Sequence, residues 1–189
     1  MQRRTMDGLG TSIPLYALGA IFLVPLSIGV LLVSSNADQN DQANQISRDL
    51  ASMYAQGMDF SKSANQSIAN RVAEGLGMSL QNGQGVLILS KIRFVEASDC
   101  GGSGDCANQG RTVVTQRFVI GNAALRRSSF GTPANIDTLT GNVGSWATDA
   151  SARAQDFHAK LSPGEFTYAA EFYALARESR TGVYSRAMF

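Results

Sequence analysis

The residues whose types and spacing most plainly suggest chemistry are two cysteines. Cys100 and Cys106 stand in DCGGSGDC with five residues between them, three of which are glycine. Such a loop can bring the two Cα atoms within the ~4.4–6.8 Å that a disulfide requires. An exterior, oxidising compartment would let the bond form. A metal or redox pair is the competing reading, but zinc needs more Cys or His ligands and the sole histidine, His158, is far away in sequence. The spacing therefore predicts a disulfide between Cys100 and Cys106.

Carboxylates are the next candidates. Asp99 and Asp105 flank the cysteines and can hold a cation, and Asp137, Asp149 and Asp156 fall in a loop-rich stretch that can bind calcium. Neither set has the spacing of an EF-hand, so solvated carboxylates are the simpler expectation. Arg126 and Arg127 form a short basic pair that reads as a solvated turn. Trp146 reads as an anchor to the core, and His158, beside Phe157, has no Ser or Cys motif to serve. The chain contains no GxSxG, HExxH, GxxxxGK[ST] or CxxC. No catalytic residue, cofactor or metal site is assigned, and a non-enzymatic protein is expected.

What must position these residues begins with SIPLYALGAIFLVPLSIGVLLVSS near the N-terminus. From Gly8 to Ala37 no side chain is charged. The apolar part from Ile13 to Val33 would span ~30 Å as a helix, the thickness of a bilayer core. A signal peptide has a shorter apolar region, of about 7–15 residues, before small residues at its cleavage site. VSSNADQ offers Ser35 and Ala37 for such a cut, but the length favours an anchor running from residue 13 to residue 35 through Ile13, Phe22, Pro25 and Val33. Pro25 should bend that helix, and Gly19 and Gly29 leave small surfaces for a neighbouring helix. Arg3 and Arg4 precede the segment, and Asp38 and Asp41 follow it. The positive-inside rule then holds residues 1–12 in the cytoplasm and the C-terminal portion outside. Removing Arg3, Arg4 and Asp7 from the 16 basic and 15 acidic residues leaves 14 of each. A formally neutral exterior portion gives nothing to steer it towards nucleic acid.

Residues 36–80 read as helical. Ala43, Ile46, Leu50, Met53, Tyr54 and Gly57 mark one stripe of an amphipathic helix, and MDFSKSANQ breaks it, with Asp59 or Ser61 available as an N-cap. Ala64, Ile68, Val72 and Leu76 then repeat at four-residue spacing in a second helix. Residues 81–189 read as β-rich. GVLILSKIRFVEA (85–97) and RTVVTQRFVIG (111–121) have strand composition, the second with Val114, Gln116, Phe118 and Ile120 on one side. The cysteine loop between them makes an antiparallel hairpin the economical arrangement. Residues 122–163 have loop composition, relieved by TDASARAQDFHAKL. That segment can form a short helix capped by Thr148 or Asp149, with Ala152, Phe157 and Leu161 turned inwards. The chain closes with two strands, GEFTYAAEFYA and the segment after Gly182. The fold class is α+β: about four antiparallel strands packed on the second helix.

The ordered series of N-terminal apolar helix, MYAQGMDFS, NQSIANRVAEGLGM, GVLILSKI, paired-cysteine loop, RTVVTQRFVIGN, SSFGTP and GEFTYAAEFYA resembles the TadE-like pilus assembly proteins of the Tad (tight adherence) system. The resemblance runs from about Gly8 to the C-terminus and implies a pilin-like minor pseudopilin. Such a protein sits in the bacterial inner membrane as a single-pass protein with its C-terminal domain periplasmic or extracellular. It implies as partners membrane lipid, other pilin or pseudopilin subunits, the assembly machinery and a prepilin peptidase cutting after Gly8 or Gly10. Family members usually carry a glutamate just inside the mature N-terminus. Here the fifth residue after Gly8 is Ile13, and the fifth after Gly10 is Leu15. A permanently anchored exterior binding module, outside any filament, is the alternative expectation.

Overall fold

The computed structural model describes residues 37–76, 78–81, 83–101, 106–175 and 182–189. The leader glycines Gly8 and Gly10 and the anchor residues Ile13, Phe22, Pro25 and Val33 lie outside the described residues. Among the described residues no helix is long and apolar enough to cross a membrane. Asn40–Phe189 form one compact unit.

Helix α1 covers residues 37–55. Its spacing of apolar residues is that of a helix with one buried side: Ala43, Ile46, Leu50, Ala51 and Tyr54 are all buried, and Ser47 joins them. The helix stops because Gly57 takes φ +92°, a left-handed conformation that side chains rarely adopt. There the Gly57 N–H donates to the Tyr54 carbonyl at 3.1 Å and the Met58 N–H to the Met53 carbonyl at 3.1 Å, which satisfies the last turn. Gly57 is therefore the helix terminator and not part of the buried stripe.

Helix α2, Ser63–Gly75, presents a different face from the one its four-residue repeat predicts. Ala69 and Ala73 are its buried residues, Val72 and Leu76 are half-buried, and Ala64 and Ile68 are exposed. Small alanines let α2 lie close, so the close-packing stripe is set by size more than by hydropathy. Its N-cap is Lys62, with no side-chain cap bond. Asp59 instead accepts from the Ser61 N–H at 3.0 Å, closing the turn before the helix.

Four strands follow: β1 (Gly85–Phe94), β2 (Thr112–Gly121), β3 (Phe166–Leu175) and β4 (Gly182–Met188). They form one antiparallel sheet in the order β2-β1-β3-β4. The β1–β2 hairpin is as the sequence predicts, although β1 ends at Phe94. Ala97–Cys100 turns as a 3-10 helix at the hairpin's tip.

One face of the sheet, carrying Leu87, Leu89, Phe118, Ile120, Ala170 and Phe172, packs on α1, with Ala69 and Ala73 of α2 in the same core. Direct polar contact comes from α1: the Tyr54 hydroxyl donates to Gln116 Oε1 at 2.7 Å, and the Ser185 hydroxyl donates to the Ala43 carbonyl at 2.6 Å. The sheet's first helical partner is thus α1, where the sequence suggested α2. The opposite face is covered by the long connection between β2 and β3, around Ile92, Val113, Val114, Phe130, Val143 and Ala169. With both faces covered, Val86 to Ser90 are buried without interruption, as in other strands packed on two sides.

A bulge corrects the reading of β2. Lys91 pairs with Gln116 but Ile92 pairs with Val114, so Thr115 is an extra residue in the ladder. Gln116, Phe118 and Ile120 face α1. Val114, expected beside them, is carried to the other face and enters the second core.

Candidate functional site

The connection between β2 and β3 has little regular structure, so side chains must satisfy much of its backbone. TDASARAQDFHAKL yields only a 3-10 turn, Ala150–Ala152, capped by Asp149 through the Ser151 N–H at 2.8 Å. Ala152 is buried, and Phe157 and Leu161 pack against the same core. Asp149 and Asp137 each accept backbone N–H bonds from their own turns, which lowers both carboxyl pKa values. They act as turn caps, and no group of His, Cys, Asp and Glu suited to a metal ion occurs among the described residues. His158 is exposed.

Two polar clusters hold this connection to the sheet. In the first, buried Glu171 of β3 accepts from the Ser129 N–H at 2.8 Å, the Ser129 hydroxyl at 2.7 Å, the Tyr184 hydroxyl at 2.8 Å and the Ser128 hydroxyl. Nearby, Arg117 is only 4% exposed and donates from Nε to Ser90 Oγ at 3.2 Å and from Nη1 to the Gly131 carbonyl. Burial pushes the Arg117 guanidinium down to about 10, and the Glu171 carboxylate partly opposes the shift. Arg126, read as a solvated turn, lies with its guanidinium carbon 3.7 Å from the centre of the Tyr184 ring.

The second cluster starts at the cysteines. Cys100 and Cys106 are bridged, with their Cα atoms 5.5 Å apart. Asp99, within the 3-10 turn, accepts from Arg93 Nη2 at 2.7 Å and from the Glu96 N–H at 3.1 Å. Asn108, two residues beyond Cys106 and fully buried, donates its side-chain amide to the carbonyls of Trp146 at 2.8 Å and Asp149 at 2.6 Å. Its Oδ1 accepts from Arg153 Nε at 2.8 Å. The bridged hairpin tip thereby fixes Arg93 on one side and the Trp146 loop on the other.

Between them lies an open groove of about 520 Å³. Its floor is the end of the sheet beyond the last turn of α1, with Lys91 and Arg93 from β1, Gln116 from β2 and Phe166 from β3. Asn142 and Trp146 close the side. The Lys91 Nζ sits 4.4 Å from the centre of the Phe166 ring and 5.4 Å from that of Tyr168, and the Arg93 guanidinium carbon sits 5.7 Å from the Trp146 ring centre. Arg93 is neutralised by Asp99 and, at 3.8 Å, by Glu96. Lys91 has no carboxylate partner among the described residues.

The groove combines a lone cation, exposed aromatic surface and side-chain amides. That set can bind and orient a ligand, and among the described residues that line it no nucleophile stands next to a base. Cys100 and Cys106 are bridged as their spacing predicts, and Trp146 packs against the second core as an anchor would. The structure adds Lys91, Arg93, Asn108 and Phe166, which sequence reading passed over as strand or loop residues. A signal did exist: two cations at alternate positions of a strand, LILSKIRF, that apart from Ser90 is otherwise apolar. No protein-family model, no curated protein and no solved structure matches this chain.

Proposed function

We propose that this chain is a non-enzymatic, membrane-anchored pilin-like protein, a minor pseudopilin that takes part in assembling a Tad-type adhesive pilus. The observation that carries the reading is the way α1 emerges in sequence directly after the uncharged run Gly8–Ala37 and lays its apolar stripe on a four-stranded antiparallel sheet. In a pilin-like subunit an N-terminal apolar helix anchors or bundles while its continuation is the spine of the exterior domain. An apolar helix can leave the bilayer only when its surface is covered again, and bundling with like helices does that. The bridged cysteines support an exterior domain, since such bonds persist in oxidising compartments.

The test is N-terminal sequencing of the protein recovered from a strain with its own secretion machinery. A start at Leu9 or Thr11 supports a processed subunit. An intact N-terminus on the bulk of the protein, or a full-length chain that does not fractionate with membranes, overturns that reading. Ile13 and Leu15, where pilin-like proteins usually place an acid, favour a second reading of the same anchored architecture: a resident exterior binding module that never enters the filament.

A further inference from the structure

We infer that the groove between Lys91, Phe166 and Trp146 binds an acidic oligosaccharide, a chain of sugar rings carrying one carboxylate per acidic ring. The inference does not depend on whether the protein enters a pilus.

Charge comes first. Arg93 is already compensated, so the groove offers Lys91 as its one uncompensated cation. One ammonium beside aromatic rings matches a sparse carboxylate better than a dense run of phosphates.

The remaining walls suit a sugar ring. Phe166 is 48% exposed although it belongs to a strand, and Trp146 is half-buried, so both present aromatic surface on which the apolar side of a pyranose can lie. Asn142 is exposed and accepts from Gln116 Nε2 through Oδ1 at 3.2 Å. Its own amide hydrogens meet no acceptor among the described residues and remain for ring hydroxyls.

An acidic peptide is the competing class, and the backbone argues against it. A peptide captured at a sheet edge gains most of its affinity from main-chain hydrogen bonds. Along this part of β2 the edge is already taken: Thr115 accepts from the Val143 N–H at 2.9 Å, and the Arg117 N–H donates to Gly141 at 2.7 Å. A peptide would be left with side-chain contacts alone.

The test is calorimetric titration of the full-length chain in detergent micelles with three probes: a galacturonate hexamer, a neutral glucose hexamer and a hexaglutamate peptide. We expect saturable binding of the galacturonate hexamer that weakens as salt is raised. Lys91→Gln should weaken it at least about tenfold, the effect of losing a charge-assisted hydrogen bond. Phe166→Ala, a truncation of an exposed side chain that belongs to neither core, should weaken it several-fold. Arg71→Gln on α2 should leave it unchanged. Far-UV circular dichroism checks that each variant is folded. The inference falls if the galacturonate hexamer does not bind saturably, if the glucose hexamer binds as tightly, if hexaglutamate binds more tightly, or if both groove variants bind like the parent chain.

Discussion

The two faces of the sheet are covered by opposite means. On one, regular helix satisfies its own backbone and packs chiefly through an apolar stripe, so Leu50 and Tyr54 of α1, Ala69 and Ala73 of α2, and Leu89 and Phe172 of the sheet supply a continuous core. On the other, the irregular connection between β2 and β3 packs Phe130, Val143 and Ala152 but must be tied down by buried polar side chains, chiefly Arg117, Glu171 and Asn108. Regular structure lets burial do most of the holding, whereas irregular structure transfers it to a few hydrogen-bonded side chains whose loss leaves unpaired groups. The candidate groove sits at the edge of the second arrangement, where chain without its own ladder can present side chains freely.

The largest expected effect tests the helix-covered face. Phe172→Ala removes a fully buried ring from the centre of the α1 core and should cost about 3–5 kcal/mol. Trp146, the only tryptophan, belongs to the other face, so its fluorescence reports the connection while far-UV circular dichroism reports helix and sheet. In urea, Phe172→Ala should lower both midpoints together. If only the circular dichroism midpoint moves, the two faces are energetically separate and the shared sheet does not couple them.

Glu171→Gln tests the polar side. The amide keeps one acceptor oxygen but replaces the other with a donor that cannot accept from the Ser128 hydroxyl, and it withdraws the negative charge near buried Arg117. A cost of about 2–4 kcal/mol is expected for breaking a buried charge-assisted network. Here the Trp146 transition should precede the circular dichroism transition, because the connection can open while the helix-covered face stays folded. Coincident transitions would mean that the Glu171 cluster is part of one cooperative unit.

These two sites also mark what could be read from sequence. The α1 stripe, the hairpin and the closing strands follow from period and composition, because neighbours in sequence carry the signal. The bulge at Thr115 does not, since nothing local in TVVTQRF says where the ladder slips and sends Val114 to the other face. Nor does the Glu171 cluster: Glu171 alternates with apolar residues just as a solvent-facing strand residue would, and its partners Ser129 and Ser128 in the connection lie 42 and 43 residues away. The α2 face failed for a different reason, because hydropathy ranks Ile68 above Ala69 while close packing selects the smaller side chain. Beside the groove, the cysteines and Trp146 were legible as residues, but the placing of Trp146 there depends on Asn108, whose contacts with Trp146, Asp149 and Arg153 span 38 to 45 residues.

Replacing both Cys100 and Cys106 with serine is the next step down. Opening so short a loop should cost about 2 kcal/mol through the freedom returned to the unfolded chain. The bridged tip holds Asp99 against Arg93 and Asn108 beneath Trp146, so the loss should fall more on the Trp146 transition than on circular dichroism. Equal shifts would indicate that the tip only staples the hairpin and does not organise the groove.

The smallest effect at neutral pH is expected at Tyr54, where the helix-covered face has its own polar contact. Tyr54→Phe keeps the ring stacked edge-on to Phe60, Phe118 and Tyr168 and removes only the bond to Gln116, at a cost of about 1 kcal/mol. Alkaline pH should magnify what the variant reveals. Burial, reinforced by Tyr168 and Asp59, holds the Tyr54 phenol well above its ordinary pKa. Above about pH 10 the unfolded chain therefore releases this proton while the folded chain keeps it. The folded state then binds more protons than the unfolded state, and stability falls as pH rises. Tyr184 is shifted upward too, with burial the largest cause, and acts in the same direction. Arg117 acts in the opposite one: its folded pKa is depressed to about 10, so the cost of burying its charge is relieved as pH climbs further. Tyr54→Phe should accordingly flatten the alkaline decline in urea midpoint relative to the parent chain, and combining it with Tyr184→Phe should flatten it more. An identical decline in the parent and in Tyr54→Phe would show that the hydroxyl is not held from water, and with it that the end of α1 does not seal the sheet as its packing implies.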